Sequence, residues 1–176
     1  MPQFHHRYPF DPCYGYELET LLTVPSPPSP PDFAEFWQKR YQSALSIDTQ
    51  PRLTAAAQTH PDYDVLDLTY RSTDDLLIGG WLLRPRHGCV RRGLVIGHGY
   101  GGREAPDFDI PVGDAALLFP CVRGISRSRH PPISDNPAYH VLHDIHLRDR
   151  YILGGCVEDL WLAVSTLLHL LSLIHI

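Results

Sequence analysis

The chain has 176 residues, 43% hydrophobic and 20% charged, with a net charge of −5. That size and balance fit one globular domain with a real core. The negative charge argues against nucleic acid or an anionic membrane surface as a partner. The N-terminal Met-Pro-Gln-Phe-His-His-Arg lacks the apolar run of a signal peptide. No stretch approaches the ~18 consecutive apolar residues of a membrane span, and the run Leu167–Ile176 is too short and too interrupted. Cys13, Cys89, Cys121 and Cys156 lie far apart without C-x-x-C spacing, so they read as reduced thiols in a cytoplasmic protein. Basic residues at Arg84-Pro-Arg86 with Arg91-Arg92, and at Arg123, Arg127 and Arg129, read as solvated faces.

In chain order, residues 1–31 form an irregular proline-rich strap, with Pro25-Ser-Pro-Pro-Ser-Pro-Pro31 favouring extended chain. A helix is predicted from Asp32, which can cap with Glu35 three residues on. Its stripe of Phe33, Phe36, Trp37, Tyr41 and Leu45 reads as core packing. From Tyr63 the period becomes two, with Leu66, Leu68 and Tyr70 alternating with Asp67, Thr69 and Arg71 in a half-buried strand. Ser72-Thr-Asp-Asp75 is turn chemistry, and Leu76–Leu83 is the returning strand of a hairpin. Leu94–Gly97 reads as a strand covered on both faces, and Ala115–Val122 as another. Pro120 must fall at an edge or a strand end. Ile125 to about Arg150 looks like a polar surface excursion. A helix follows from about Tyr151, with Val157, Leu160, Trp161, Val164, Leu167 and Leu168 on its apolar stripe and Glu158 and Asp159 outside it.

The densest chemistry lies in Gly93-Leu-Val-Ile-Gly-His98-Gly99-Tyr100-Gly101-Gly102-Arg103, where four glycines in six residues free the backbone to turn and to aim N–H groups. In α/β-hydrolases a loop of this kind after an early strand supplies half of the oxyanion hole; an ordinary strand-to-loop turn is the plain alternative. No complete G-x-S-x-G occurs. The nearest approach is Gly124-Ile125-Ser126-Arg127-Ser128, where Pro131 and Pro132 oppose the helix that should back a nucleophile. Ser165 falls in mid-helix. His140-x-x-His143-Asp144-x-His146 has spacing that could gather metal ligands, but no H-E-x-x-H or comparable signature accompanies it. Solvated loop histidines are therefore expected, with neither a metal nor a cofactor.

An ordered series of segments is similar to the acetyl xylan esterase / cephalosporin C deacetylase family of α/β-hydrolases. It runs through Asp32-Phe-Ala-Glu-Phe-Trp37, Asp67-Leu-Thr-Tyr-Arg-Ser-Thr-Asp74, Gly80-Trp-Leu-Leu-Arg-Pro85 and His98-Gly-Tyr-Gly-Gly-Arg103. It closes with Arg123-Gly124 and Tyr151-Ile-Leu-Gly-Gly-Cys-Val-Glu-Asp-Leu160. The resemblance implies an α/β fold, the N-terminal half of an α/β-hydrolase: a mostly parallel sheet opening with a hairpin and flanked by helices. It implies deacetylation of small acetylated sugars and related esters by a Ser-His-Asp triad, with homo-oligomers in the full-length protein. The backbone N–H of Tyr100 maps to an oxyanion-hole donor. His98 then shapes the loop and is not the base, because the triad runs Ser…Asp/Glu…His in this fold. Where the family shows R-G-Q, this chain has Arg123-Gly124-Ile125.

Nucleophile, acid and base are expected beyond Ile176, which makes residues 32–170 a truncated and inactive hydrolase domain with an unprotected sheet edge. Leu171-Ser-Leu-Ile-His-Ile176 reads as the in-frame translation of a transposon-derived sequencing adapter. Resequencing tests this, since an uninterrupted genomic frame across those residues would overturn it. Two other readings stay open: a non-catalytic binding or scaffold domain, holding a metal through His140, His143 and His146, and another α/β-hydrolase branch, such as a peptidase or a dienelactone-type hydrolase.

Overall fold

The computed structural model describes residues 7–173. They divide into two units, Met1–Ala34 and Glu35–Ile176. In the first unit every described residue is exposed. Within the strap read as irregular, the described residues form a short helix, α1 (Leu18–Leu22). Asp11 ties a local turn by accepting from the Cys13 and Gly15 N–H groups at 2.9 and 2.7 Å. The start of the predicted strap, residues 1–6, lies outside the described residues.

The second unit is built on a mixed sheet of five strands: β1 (Arg52–Ala55), β2 (Tyr63–Arg71), β3 (Leu77–Pro85), β4 (Arg92–Val95) and β5 (Ala115–Pro120). Their order across the sheet is β1-β2-β3-β5-β4. β2 and β3 form the predicted hairpin, in register from Tyr63 opposite Pro85 to Arg71 opposite Leu77. The turn between them carries positive φ at Asp74 and Asp75, a conformation aspartate tolerates better than most residues. β4 runs parallel to β5, and the other pairings are antiparallel. β4 is an edge strand and only half-buried; Val95 packs against one core cluster and Leu94 against the other, so the expected cover on both faces is present in part. Pro120 is the last residue of β5, where its missing N–H costs the ladder little.

β5 explains its unbroken apolar run. Ala116 and Leu118 enter one core cluster, while Ala115, Leu117 and Phe119 enter another on the opposite face. Both faces of this strand are dry, which removes the polar half of the usual alternation. α4 (Ile152–Leu173) covers the first face through Leu162, Ala163, Leu167 and Leu170. The second face carries Tyr63, Val65, Trp81 and Leu83, with Phe108, Ile110 and Val112 packed over it.

Two helix faces differ from expectation. α2 (Phe33–Leu45) buries only Ala44, while Phe33, Tyr41 and Leu45 are exposed. Trp37 and Tyr41 meet Trp161 edge to face, at 6.0 and 5.1 Å between ring centroids. In α4 the buried stripe contains Cys156, Glu158, Asp159, Leu162, Ala163, Thr166, Leu167 and Leu170, whereas Val164 is 47% and Leu168 64% exposed. The helix is thus rotated from the face that apolar spacing picks out, and two carboxylates point inward. By length and composition Ile152–Leu171 could cross a membrane, and more than half of it is buried in this fold. Leu171–Leu173, the start of the suspected adapter tail, continue α4; residues 174–176 lie outside the described residues.

Candidate functional site

Because β4 and β5 are parallel, their carboxyl ends lie side by side, the usual position for a site in an α/β sheet. The glycine turn follows β4 and the Arg123-Gly124 corner follows β5. His98 joins them. Its Nε2 accepts from the Val122 N–H at 3.0 Å, and its Nδ1 lies 2.7 Å from the Gly99 carbonyl. The carbonyl can only accept, so the proton sits on Nδ1 and both ring nitrogens are spent on the turn. His98 therefore shapes the loop, as expected.

Arg103 closes the other end of the turn. Its guanidinium donates to the Gly97 carbonyl at 3.1 Å, pairs with Asp107 at 3.2 Å and stacks over the Phe119 ring at 4.7 Å. Its backbone N–H donates to Ser126 Oγ at 3.0 Å. Of the four glycines in the turn only Gly102 has positive φ, and a β-carbon there would collide with Ser126 Oγ. Tyr100 is 39% exposed, and its backbone N–H donates to no described residue. Its hydroxyl lies 2.6 Å from His140 Nδ1. Burial, with Cys156 and Tyr151 nearby, pushes the phenol up to about 12.

The corner after β5 is anchored by charge. Arg123, read as part of a solvated cluster, is instead 4% exposed. It grips Asp159 with Nε and Nη2 at 2.8 to 3.2 Å, and its backbone N–H reaches the same carboxylate at 2.8 Å. It also pairs with Asp74 at 2.9 Å and donates to Thr73 Oγ1 at 2.7 Å. The Ser72 hydroxyl donates to the Asp159 carboxylate at 2.5 Å, the Tyr70 hydroxyl to the Asp159 backbone carbonyl at 2.7 Å, and Arg40 pairs with Glu158 at 2.9 Å. Burial alone would lower the Arg123 pKa, but Asp159, Asp74 and Glu158 hold it above its ordinary value. The cluster locks the turn between β2 and β3, the end of β5 and the first turns of α4 into one body. Five other basic residues of those clusters are paired nearer the surface: Arg84 and Arg86 with Asp64, Arg92 with Asp114, Arg127 with Asp67 and Arg129 with Asp135.

Ser126 begins a short 3-10 turn, Ser126–Ser128, with φ +50. Its hydroxyl oxygen accepts from Arg103, and no histidine is bonded to it among the described residues, so it lacks the base a nucleophile needs. A cavity of about 530 Å³ opens beside it, lined by Gly101, Arg103, Ser126, Gln58, Trp81 and Arg127 among others. Ser165 sits in α4 with its hydroxyl 3.4 Å from the Trp161 carbonyl. The histidine run does not assemble: His140 is fully buried with both nitrogens engaged, His143 is half-buried and His146 exposed. Among the described residues no group of three His, Cys, Asp or Glu is placed to hold a metal. The excursion from Ile125 is thus only partly a surface loop, since Ile125, Ser128 and His140 are buried.

The Arg123–Asp159 pair and His140 are the features that sequence patterning missed. One signal was available. Gly154-Gly155 inside a helix is costly, and both lie where a guanidinium approaches: a β-carbon on Gly154 would fall 2.8 Å from Arg40 Cζ, and one on Gly155 would collide with Arg123.

The family model for acetyl xylan esterase (AXE1) matches residues 16–110, more than half of the chain. The fold is similar to that of acetyl xylan esterase 1 from Thermoanaerobacterium sp. JW/SL YS485, with a TM-score of 0.61 at 18% identity, over 76% of this chain and 44% of that one. It is also similar to acetyl xylan esterase from Paenibacillus sp. R4, with a TM-score of 0.51 at 24% identity, over 62% of this chain and 37% of that one. The chain thus spans less than half the length of either solved esterase. No curated protein sequence matches it significantly. The mixed sheet flanked by helices is of the α/β-hydrolase type, and the chain belongs to the acetyl xylan esterase family.

Proposed function

We propose that this chain supplies the oxyanion side of a serine-type acetyl-ester hydrolase acting on small acetylated sugars. The observation that carries the reading is the braced turn at the carboxyl end of β4, in a chain of this family, with the Tyr100 N–H free of any described acceptor. In the reaction a serine outside this chain passes its proton to a histidine and attacks the acetyl carbonyl. The carbonyl oxygen becomes an anion, and the Tyr100 N–H stabilises that charge where it develops. The sugar leaves as its alcohol, taking the proton from the histidine, and water then hydrolyses the acetyl-enzyme.

Nucleophile, acid and base follow Ile176 in this reading, and the 176-residue chain alone is inert. Ser126 supports the turn and does not act as the nucleophile. The open side of β4 is where the next strand of a complete sheet would add. Four free cysteines suit a reducing, cytoplasmic setting.

The test is to assay acetate release from acetylated xylo-oligosaccharides and from a chromogenic acetyl ester. Both the 176-residue chain and the reading frame extended downstream through a G-x-S-x-G and the acid and histidine that follow it are assayed. Turnover is expected only from the extended protein, and its serine→Ala variant should lose it. Turnover by the short chain that disappears in Ser126→Ala would move the nucleophile to Ser126.

A further inference from the structure

The glycine turn is braced at three points, two of which tie it to the segment that follows β5. His98 ties it to Val122, and Arg103 ties its end to Gly97 and Ser126. The third brace reaches 40 residues along the chain, from the Tyr100 hydroxyl to His140 Nδ1 at 2.6 Å. The two rings meet edge to face, 5.4 Å apart. His140 is the last residue of α3 (Pro137–His140) and has no exposed surface.

The other face of this imidazole fixes its chemistry. Nε2 lies 2.8 Å from the Arg123 carbonyl. A carbonyl oxygen only accepts, so Nε2 carries the proton and Nδ1 is left as the acceptor for the Tyr100 O–H. The approach is tight. Gly124 has φ +83, and a β-carbon there would lie 3.0 Å from His140 Cδ2, 3.1 Å from Nε2 and in collision with Ile133. The glycine of the Arg123-Gly124 pair therefore makes room for His140, while the arginine is pinned by Asp159.

We propose that His140 is a positioning residue, which carries the fixed place of the Arg123–Asp159 cluster to the Tyr100 phenol and so sets the turn that presents the Tyr100 N–H. Its catalytic consequence rests on the reading of that turn as an oxyanion site. The mechanical link does not. A backbone donor has no rotamer to adjust, so only the conformation of the turn aims it. A phenol anchored in the core restrains that conformation from outside the loop.

The test reads the turn without turnover, in the 176-residue protein. Amide hydrogen exchange is followed at Gly102, whose N–H bonds to the Gly99 carbonyl, and at Ile96, whose N–H bonds to Leu118 in the sheet. Tyr100→Phe removes only the hydroxyl that meets His140 and keeps the ring. It should speed Gly102 exchange about tenfold, the scale of one lost hydrogen bond, with Ile96 unchanged. His140→Gln keeps a donor near the Arg123 carbonyl and loses the acceptor for Tyr100, and it should do the same. The double variant should add nothing to either single change, because both break one link. Ring nitrogen shifts should show His140 protonated on Nε2 alone.

Unchanged Gly102 exchange in Tyr100→Phe would overturn the proposal. So would additive effects, or an equal rise at Ile96 that marks general destabilisation. A proton on Nδ1 would also overturn it. Failure of the extended protein to release acetate would sink the esterase reading and leave the exchange result standing.

Discussion

α2 and α4 invert the usual relation between hydropathy and burial. α2 has an aromatic stripe and buries a single alanine; Phe33, Tyr41 and Leu45 remain in solvent. α4 takes two carboxylates into the protein and leaves Val164 and Leu168 outside. The difference lies in what each helix meets. Opposite the first turns of α4 stands Arg123, which supplies a bidentate grip and a backbone N–H to the Asp159 carboxylate, while the Ser72 hydroxyl donates to it as well. A buried charge is tolerable when it is paired and fully hydrogen-bonded. An apolar side chain is buried only where a surface is present to receive it.

The largest expected effect breaks the charged side of this comparison. Asp159→Ala takes from buried Arg123 its one fully buried partner, leaving the exposed Asp74 and the more distant Glu158, and should cost about 3–5 kcal/mol, read as a lowered urea midpoint. A double change to Arg123→Met and Asp159→Leu should recover most of that loss. A cost below about 1 kcal/mol for the single variant would mean that the pair does not decide which face of α4 turns inward.

Gly155→Ala comes next. Helix propensity alone favours alanine by about 1 kcal/mol, but the new methyl collides with the pinned Arg123 guanidinium. A net loss of about 1–3 kcal/mol is expected, and a stabilised variant would show that Arg123 can step aside. Cysteine labelling then separates buried from exposed surfaces. Cys13 and Cys89 are exposed, whereas Cys121 and Cys156 are buried. Burial pushes the Cys156 thiol up to about 12, with Asp159 adding to it. The thiolate is the reactive form, so at pH 8 two of the four cysteines should react quickly and the other two only on unfolding. Fast labelling of Cys156 would mean that the first turns of α4 open readily. The smallest effect falls on α2, where Leu45→Ser at a half-exposed site should change stability by no more than about 0.5 kcal/mol. A larger loss would place a real core under that helix.

The site was legible to different depths. The turn at His98–Gly102 stood out because glycine density and a preceding apolar strand are local properties. Chain order alone makes His98 a loop-shaping residue, and its two hydrogen bonds agree. From sequence His140 looks like a solvated loop histidine, because its partners, Tyr100 and the Arg123 carbonyl, are 40 and 17 residues away. Arg123 looks like part of a solvated basic cluster for the same reason, since Asp159 is 36 residues further on. β1 was not predicted at all. Its four residues are all exposed, too few to display a period, and only pairing with β2 makes them a strand.

By itself the sequence determined the hairpin, the doubly buried β5, the start of α4 and the glycine turn. Each of these depends on the order of apolar, polar and glycine residues within a few positions, and backbone geometry translates that order directly. Tertiary structure alone decided which face of α4 points inward, that α2 stays at the surface, and that His140 braces Tyr100. Those outcomes rest on pairing between groups far apart in the chain, and a buried polar group settles wherever its hydrogen-bonding partners are found.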